Sequence, residues 1–385
     1  MIDEATPATG TARSTRERLI AFFRGRTLAE CIDARRDNIL ELRLVAALLV
    51  IFGHSFVLLP GIPTPFFDPL QWLLPHTQSH LAGVMMFFVI SGFLITMSFD
   101  RRPHVLRFIA ARLLRIWPAL AVCVVVTAYV LGPIVTTATL HDYFHVSGPF
   151  GTPWLFTRTN ASLLGVFPFL PGVFPDNPVA HFVNASLWTI PVEASMYFCV
   201  LIGGVVGAYR FPRLTTLAIA AIFGWLVVWP MATDTVHAVG TSFFALQLMG
   251  FFGAGAIAYL WRRRVRISSG IMLAIFALAL VMRMSSHAWW PLALAIGYFV
   301  LWFAYVPRVP KIPHDWDLSY GTYLYAFPVQ QALIMLGVRN PLVLFATAVP
   351  IVLVLASASW HWIEKPCIRL KSLRRARPSP TPATA

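Results

Sequence analysis

Ten apolar segments divide this 385-residue chain, near 39–59, 81–99, 116–136, 188–208, 212–230, 240–261, 268–283, 288–306, 317–337 and 341–362. Each is long enough, or nearly so, to cross about 30 Å of hydrocarbon as a helix of roughly 20 residues. The seventh is short and the ninth is polar at its start. This pattern predicts an all-α, polytopic membrane protein with about ten transmembrane helices. Composition agrees: 58% of residues are hydrophobic and 12% charged, with a mean hydropathy of +0.70, whereas a soluble chain carries roughly 25% charged residues.

A formal charge of +14 would fit a nucleic-acid binder, but the basic residues are distributed by topology instead. The amino terminus, the even-numbered loops and the carboxyl tail hold 26 Lys/Arg residues, while the odd-numbered loops hold only Arg158, Arg283 and Arg339. The positive-inside rule then places both termini in the cytoplasm and makes the lipid bilayer, not nucleic acid, the charge partner. Residues 1–37 form a basic cytoplasmic segment in which STRERLIAFFRGRTLAE (14–30) reads as an amphipathic helix on the anionic inner leaflet. Residues 38–368 form the membrane domain, and 369–385 a basic tail that ends in a disordered PSPTPATA.

Other function classes lose support. No P-loop pattern occurs, so nucleotide hydrolysis is not indicated. The four cysteines make no disulfide framework and no Cys/His spacing fits a metal. No convincing internal repeat is visible, which weakens a transporter built from duplicated halves. Residues 137–187, rich in Pro, Gly, Phe and Asn, are too long for a simple connector and read as an ordered cap. With the loop 60–80 they are placed to roof a cavity open to the outside.

Three ionisable residues inside these apolar stretches stand out. Arg43 and His54 are eleven positions apart, about three turns plus 20°, so they share one helix face some 16 Å apart along the axis. Intramembrane ionisable residues are candidates for function by default. His54, about five residues below the outer surface, is either a general base or a packing histidine. Arg43 either contributes to a polar path or snorkels to head groups, with Glu41 or Asp37 as a nearby partner. Glu193 lies about seven residues, or roughly 10 Å, below the outer end of the fourth segment. At that depth it either contacts His54, holding its tautomer, or forms a structural ion pair with an arginine. Arg112 and Arg115, three apart where the third segment begins, suit phosphate groups and equally satisfy plain topology. Gly92, Gly250, Gly253 and Gly255 read as helix-packing positions.

Taken together, the segments resemble acyltransferase family 3, integral-membrane acyltransferases that modify bacterial surface sugars. ELRLVAALLVIFGHS resembles the family's Arg-x10-His first helix, MMFFVISGFLI its second-helix segment, and RFIAARLLRIWP its Arg-x-x-Arg entry to the third. SLWTIPVEASMYF resembles its Leu-Trp-x-x-x-x-Glu segment, LSYGTYLYAFPV its late Ser-Tyr-x-x-Tyr-Leu segment, and WIEKP its closing Glu-(Arg/Lys)-Pro. The matches run in order over residues 38–368. Two positions depart from the pattern: Ala194 stands where the family often has a second acidic residue, and Ala326 where it often has a histidine.

The resemblance implies an O-acyltransferase of the bacterial cytoplasmic membrane with no permanently bound cofactor. Its donor would be acyl-CoA, most commonly acetyl-CoA, approached from the cytoplasm. Its acceptor would be a hydroxyl of a cell-surface or lipid-linked glycan. His54 would then serve as base or transient acyl carrier, with Glu193 and Arg43 beside it in catalysis. Arg112 and Arg115 would hold CoA phosphates, and Ser91, Trp188, Tyr320 and Tyr323 would line the cavity. The rival reading is a transporter that moves an acyl donor or glycan intermediate, using the same ionisable residues as a relay.

Overall fold

The computed structural model describes residues 22–34, 36–61, 68–145, 148–232, 240–313 and 315–373. Each of the ten apolar segments falls on a helix: α1 (Ile39–Val57), α2 (Ser79–Arg101), α3 (Val105–Val126), α4 (Thr189–Val205), α5 (Pro212–Ala232), α6 (Gly240–Leu260), α7 (Ser269–Val281), α8 (Trp289–Tyr305), α9 (Ser319–Met335) and α10 (Pro341–Ser359). Among the described residues, five stretches are long and apolar enough to cross a membrane: Ile39–Val57, Ser79–Arg101, Val105–Val135, Ala185–Val205 and Pro341–Leu370. Helices α7 and α8 and the Phe244–Leu260 part of α6 are shorter apolar helices.

Helix ends follow local chemistry. Asn340 caps α10 by accepting from the backbone N–H groups of Leu342 and Val343, with Pro341 at the first helical position, where its missing N–H costs nothing. Both long composite helices contain a π-turn next to a proline. Thr127–Leu131 precedes Pro133 at the end of α3, and Trp360–Glu364 precedes Pro366 beyond α10. A proline removes one ladder bond and crowds the carbonyl four residues back, and a widened turn accommodates both effects.

Helix α2 is the centre of the bundle, packed against α1 and α6, with buried residues along its whole length. Its crossing with α6 is backbone on backbone. A Cβ at Gly92 would lie 1.9 Å from the Phe252 carbonyl oxygen, and one at Gly255 would lie 2.1 Å from that of Val89. The glycines singled out in the sequence are therefore contact points.

The start of α1, the α6–α7 turn and the end of α8 meet at one end of the bundle, its basic end. At the basic end, Asn38 ahead of α1 donates its side-chain amide to Phe303 O (2.7 Å) and Pro307 O (2.9 Å) beyond α8. The amino-terminal arm reaches the α6–α7 turn through an antiparallel pair, β1 (Arg26–Thr27) with β2 (Arg266–Ile267). A continuous amphipathic helix over 14–30 is not what forms in its described part. Gly25, at φ 55°, breaks the chain direction, and a new helix, Leu28–Asp33, starts from a Thr27/Glu30 capping box. Residues 14–21 of that segment, and 374–385 of the 369–385 tail, lie outside the described residues.

The described residues of the segment 137–187 form an ordered cap, as its aromatic content predicts. It contains the short helices Leu140–His145 and Pro153–Ala161, and its own side chains Tyr143, Phe156, Leu170, Val173, Phe174 and Val183 are fully buried. Amide side chains fasten it to α9. Gln331 Nε2 donates to Val179 O (2.8 Å) and Phe182 O (2.7 Å), Asn177 Nδ2 donates to Gln331 Oε1 (2.9 Å), and Asn184 Nδ2 donates to Leu324 O (3.0 Å). In the loop 60–80, residues 62–67 lie outside the described residues.

Candidate active site

At the basic end, charged residues from four chain segments meet. Asp317, in the turn just before α9, accepts from Ser319 Oγ (2.6 Å) and pairs with Arg115 Nη2 of α3 at 2.5 Å. Arg43 of α1 donates its Nε to Ser319 Oγ (3.1 Å) and stands 3.6 Å from Asp317 Oδ2 through Nη1. Arg115 Nη1 also reaches Glu364 Oε2 (3.1 Å), and Ser359 donates to the other oxygen of Glu364 (3.1 Å). Burial alone would raise the Asp317 carboxyl, but the guanidinium groups of Arg43 and Arg115 outweigh it and hold the group down at about 2. Arg115 is thus neutralised by two carboxylates and flanked by the rings of Tyr320 and Trp360.

Above this network opens a cavity of about 290 Å³. Arg43, Arg112, Arg115 and Glu193 line it, with hydroxyls from Ser91, Tyr197, Ser319, Tyr320 and Tyr323 and an apolar wall that includes Phe87, Phe88 and Ile190. Glu193 accepts from Ser91 Oγ of α2 (3.2 Å) and from the Tyr197 hydroxyl one turn along α4. Arg112 differs from its neighbour. Its guanidinium lies 5.9 Å from the Phe108 ring centroid, and its Nε is buried without a hydrogen-bond partner. The tyrosines mainly hold walls: Tyr320 donates to Ile116 O (2.9 Å) and Tyr323 to Ser186 O (2.7 Å).

The structure therefore brings together Arg43, Glu193, Arg112, Arg115, Ser91, Tyr320 and Tyr323. His54 and Trp188 are not among the cavity's lining residues. Trp188 packs into the core around α2. The ring of His54 stacks on His80 of α2, with centroids 5.0 Å apart, and meets Phe327 of α9 edge-on. His80, beside His54, and Ser91, bound to Glu193, are eleven residues apart on α2, which is about 16 Å of helix. Glu193 is accordingly at the depth of Arg43 and not of His54, and the proposed Glu–His contact is replaced by bonds to Ser91 and Tyr197. Counting residues from each helix end misplaced it because the ends are staggered.

Sequence reasoning did not single out three residues that matter here. Asp317 and Glu364 take Arg115, and Asp317, not Glu41 or Asp37, pairs with Arg43. Glu41 instead accepts from Ile312 N (3.0 Å) and pairs with Lys311. The signals were present: Asp317 adjoins LSYGTYLY, and Glu364 is the acid of WIEKP. In that motif Lys365 also bonds Asp315 (2.8 Å) and Pro366 follows the π-turn. His80 sits one residue before the second apolar segment as read from hydropathy.

The apolar helices enclose a cavity that opposes arginines to a carboxylate, the architecture of an integral-membrane protein with a polar site, and comparison supplies the class. Residues 39–361 match the family profile described as an acyltransferase domain, and the chain belongs to acyltransferase family 3. It is similar to the "O-acetyl transferase" of Shigella phage Sf6, 28% identical over 337 residues, covering 84% of this chain and 93% of that protein. It is also similar to "Nodulation protein 10" of Rhizobium leguminosarum bv. viciae, 27% identical over 372 residues, covering 90% and 96%. No solved structure matches the chain. The protein is an O-acyltransferase.

Proposed function

We propose that this enzyme transfers an acyl group, acetyl in the simplest case, from acyl-CoA to a hydroxyl of a cell-surface or lipid-linked glycan at the bacterial cytoplasmic membrane. The observation that carries the donor assignment is the cavity in which Arg112, half-buried and with its Nε unpartnered, joins Arg43 and Arg115 near the basic end. Arginine forks match phosphate oxygens. In this reading the ten helices all span the bilayer, both termini are cytoplasmic, and the basic end receives the donor.

Arg112 holds CoA phosphate. Arg43 supports the donor's polar groups or the developing oxyanion, and Glu193 offsets the positive charge of the arginines around it. The extended arm of the donor then carries its thioester toward His54, about 16 Å farther along α1. His54 removes the acceptor's hydroxyl proton, or carries the acyl group transiently. With His54 as base, the new C–O bond forms as the thioester C–S bond breaks. With His54 as carrier, a C–N bond forms as C–S breaks and is itself broken as the C–O bond forms. In both, CoA leaves as the thiol once protonated.

The test is transfer of label from radiolabelled acetyl-CoA to glycan by the purified full-length protein. Wild type transfers label without a second enzyme, and His54→Ala, inserted and folded, does not. Normal transfer by that variant overturns the mechanism. Transfer that requires a second enzyme favours the transporter reading. Mass spectrometry of surface glycans from strains with and without the protein identifies the acceptor, and reporter fusions at the two termini check the topology.

A further inference from the structure

A histidine that works as a base commonly has its second ring nitrogen bound to a carboxylate that sets its orientation. His54 has no such bond, because its Nδ1 is buried without a partner. Its ring is held by other rings. His80 lies over its face at 5.0 Å and 29° between planes, and Phe327 meets it at 5.5 Å and 83°. The Nδ1 of His80 is likewise buried and unpartnered.

Three features force this arrangement. At Gly53, next to His54, a Cβ would lie 2.2 Å from the backbone N of His80 and 2.9 Å from its Cβ, so α1 and α2 meet there with no room for a side chain. Gln330 of α9 donates its Nε2 to Ile51 O (2.9 Å) and Ser55 Oγ (2.8 Å), fixing the rotation of α1 against the helix that carries Phe327. Asp68 accepts from Ser79 N (2.6 Å) and Ser79 Oγ (2.7 Å), which anchors the first turn of α2 and with it His80.

The geometry points to His80 as a positioning residue for acyl transfer, its ring stacked on His54 so that the imidazole presents a fixed edge to the acceptor hydroxyl. The inference rests on His54 being the reacting imidazole, as base or as acyl carrier. A near-parallel stack is not an N–H···N alignment, so His80 does not take the proton that His54 removes. That proton leaves to the CoA thiolate or to water, and His80 is unchanged through the cycle. The titratable groups facing the pair are the two imidazoles themselves and Asp68 behind Ser79.

The experiment compares His80→Ala and His80→Phe in the full-length protein in native membrane vesicles. Radiolabelled acetyl-CoA is the donor and the vesicles' own glycans are the acceptor. His80→Ala should lower kcat about 10- to 100-fold, the scale of a misplaced reacting group, with KM for acetyl-CoA within about twofold of wild type because the donor cavity is remote. His80→Phe keeps a flat ring over His54 and should restore kcat to within about threefold of wild type, with an unchanged pH profile. A folded His80→Phe as slow as His80→Ala, or His80→Ala at full rate, overturns the inference. If His80→Ala does not fold, the rate of folded His80→Phe alone decides in the same way. Activity of His54→Ala in the same vesicles would instead overturn the underlying reading of His54.

Discussion

Arg112 and Arg115 stand three residues apart on one face of α3, yet opposite outcomes are expected when each is replaced by glutamine. Arg112 is half-buried and its Nε is unpartnered, so in the proposed reading its charge is open to a ligand. Removing a charge-assisted bond to a CoA phosphate costs about 1.5–3 kcal/mol. At 1.4 kcal/mol per tenfold, Arg112→Gln should raise the Kd for CoA by about tenfold to about 150-fold. Loss of a half-buried cation whose Nε makes no hydrogen bond should not lower the unfolding temperature. Arg115 is bonded to Asp317 and Glu364, whose side chains are 17% and 1% exposed. Arg115→Gln leaves two carboxylates facing each other without that cation, and breaking a buried pair from one side costs about 3–5 kcal/mol. Calorimetric titration of CoA into protein in nanodiscs, with thermal unfolding of the same samples, separates the two. Binding by Arg112→Gln within about twofold of wild type, or equal losses of stability in both variants, would refute the division of labour.

Other consequences are equally direct. Asp317 is held at about 2 against an ordinary 3.8, so its ion pairs contribute stability that is fully present above about pH 4 and lost as pH falls through the folded value. That contribution is about 2 kcal/mol, and the stability difference between wild type and Asp317→Asn should shrink between pH 4 and pH 2 in denaturation titrations. Gly92→Ala should cost about 1–3 kcal/mol by overpacking the α2–α6 crossing. Gly297→Ala, whose Cβ would meet nothing within 4 Å, should be neutral or stabilise α8 by up to about 1 kcal/mol; matching thermal shifts would contradict the close approach. Gln331→Leu strips donors from Val179 O and Phe182 O, at about 1–3 kcal/mol for each buried carbonyl left unpaired. It should expose the 137–187 cap to limited proteolysis while leaving α1–α3 intact.

What the sequence determined by itself is what short-range pattern controls. Apolar runs of membrane length can satisfy their backbone only as helices, so the ten helical segments were readable from hydropathy. The glycines of the α2–α6 crossing and the aromatic cap were legible for similar reasons, because small residues and clustered rings have few alternative uses. Charge placed within or at the ends of apolar stretches pointed to Arg43, Glu193, Arg112 and Arg115, and motif spacing carried the acyltransferase resemblance. The tertiary structure decided which of these residues meet. Helical register put Arg43 and His54 on one face, but the stagger of α2 against α4 sets Glu193 beside Ser91, about 16 Å from His80. Pairing across α1, α3, α9 and α10 assigned Asp317 and Glu364 to Arg115, residues more than 200 positions away in the chain. Such pairings depend on how helix ends align after packing, a property of side-chain shapes across several interfaces that no local pattern encodes. For the same reason His54 is held by the rings of His80 and Phe327, from two other helices, and not by the carboxylate its sequence depth seemed to offer.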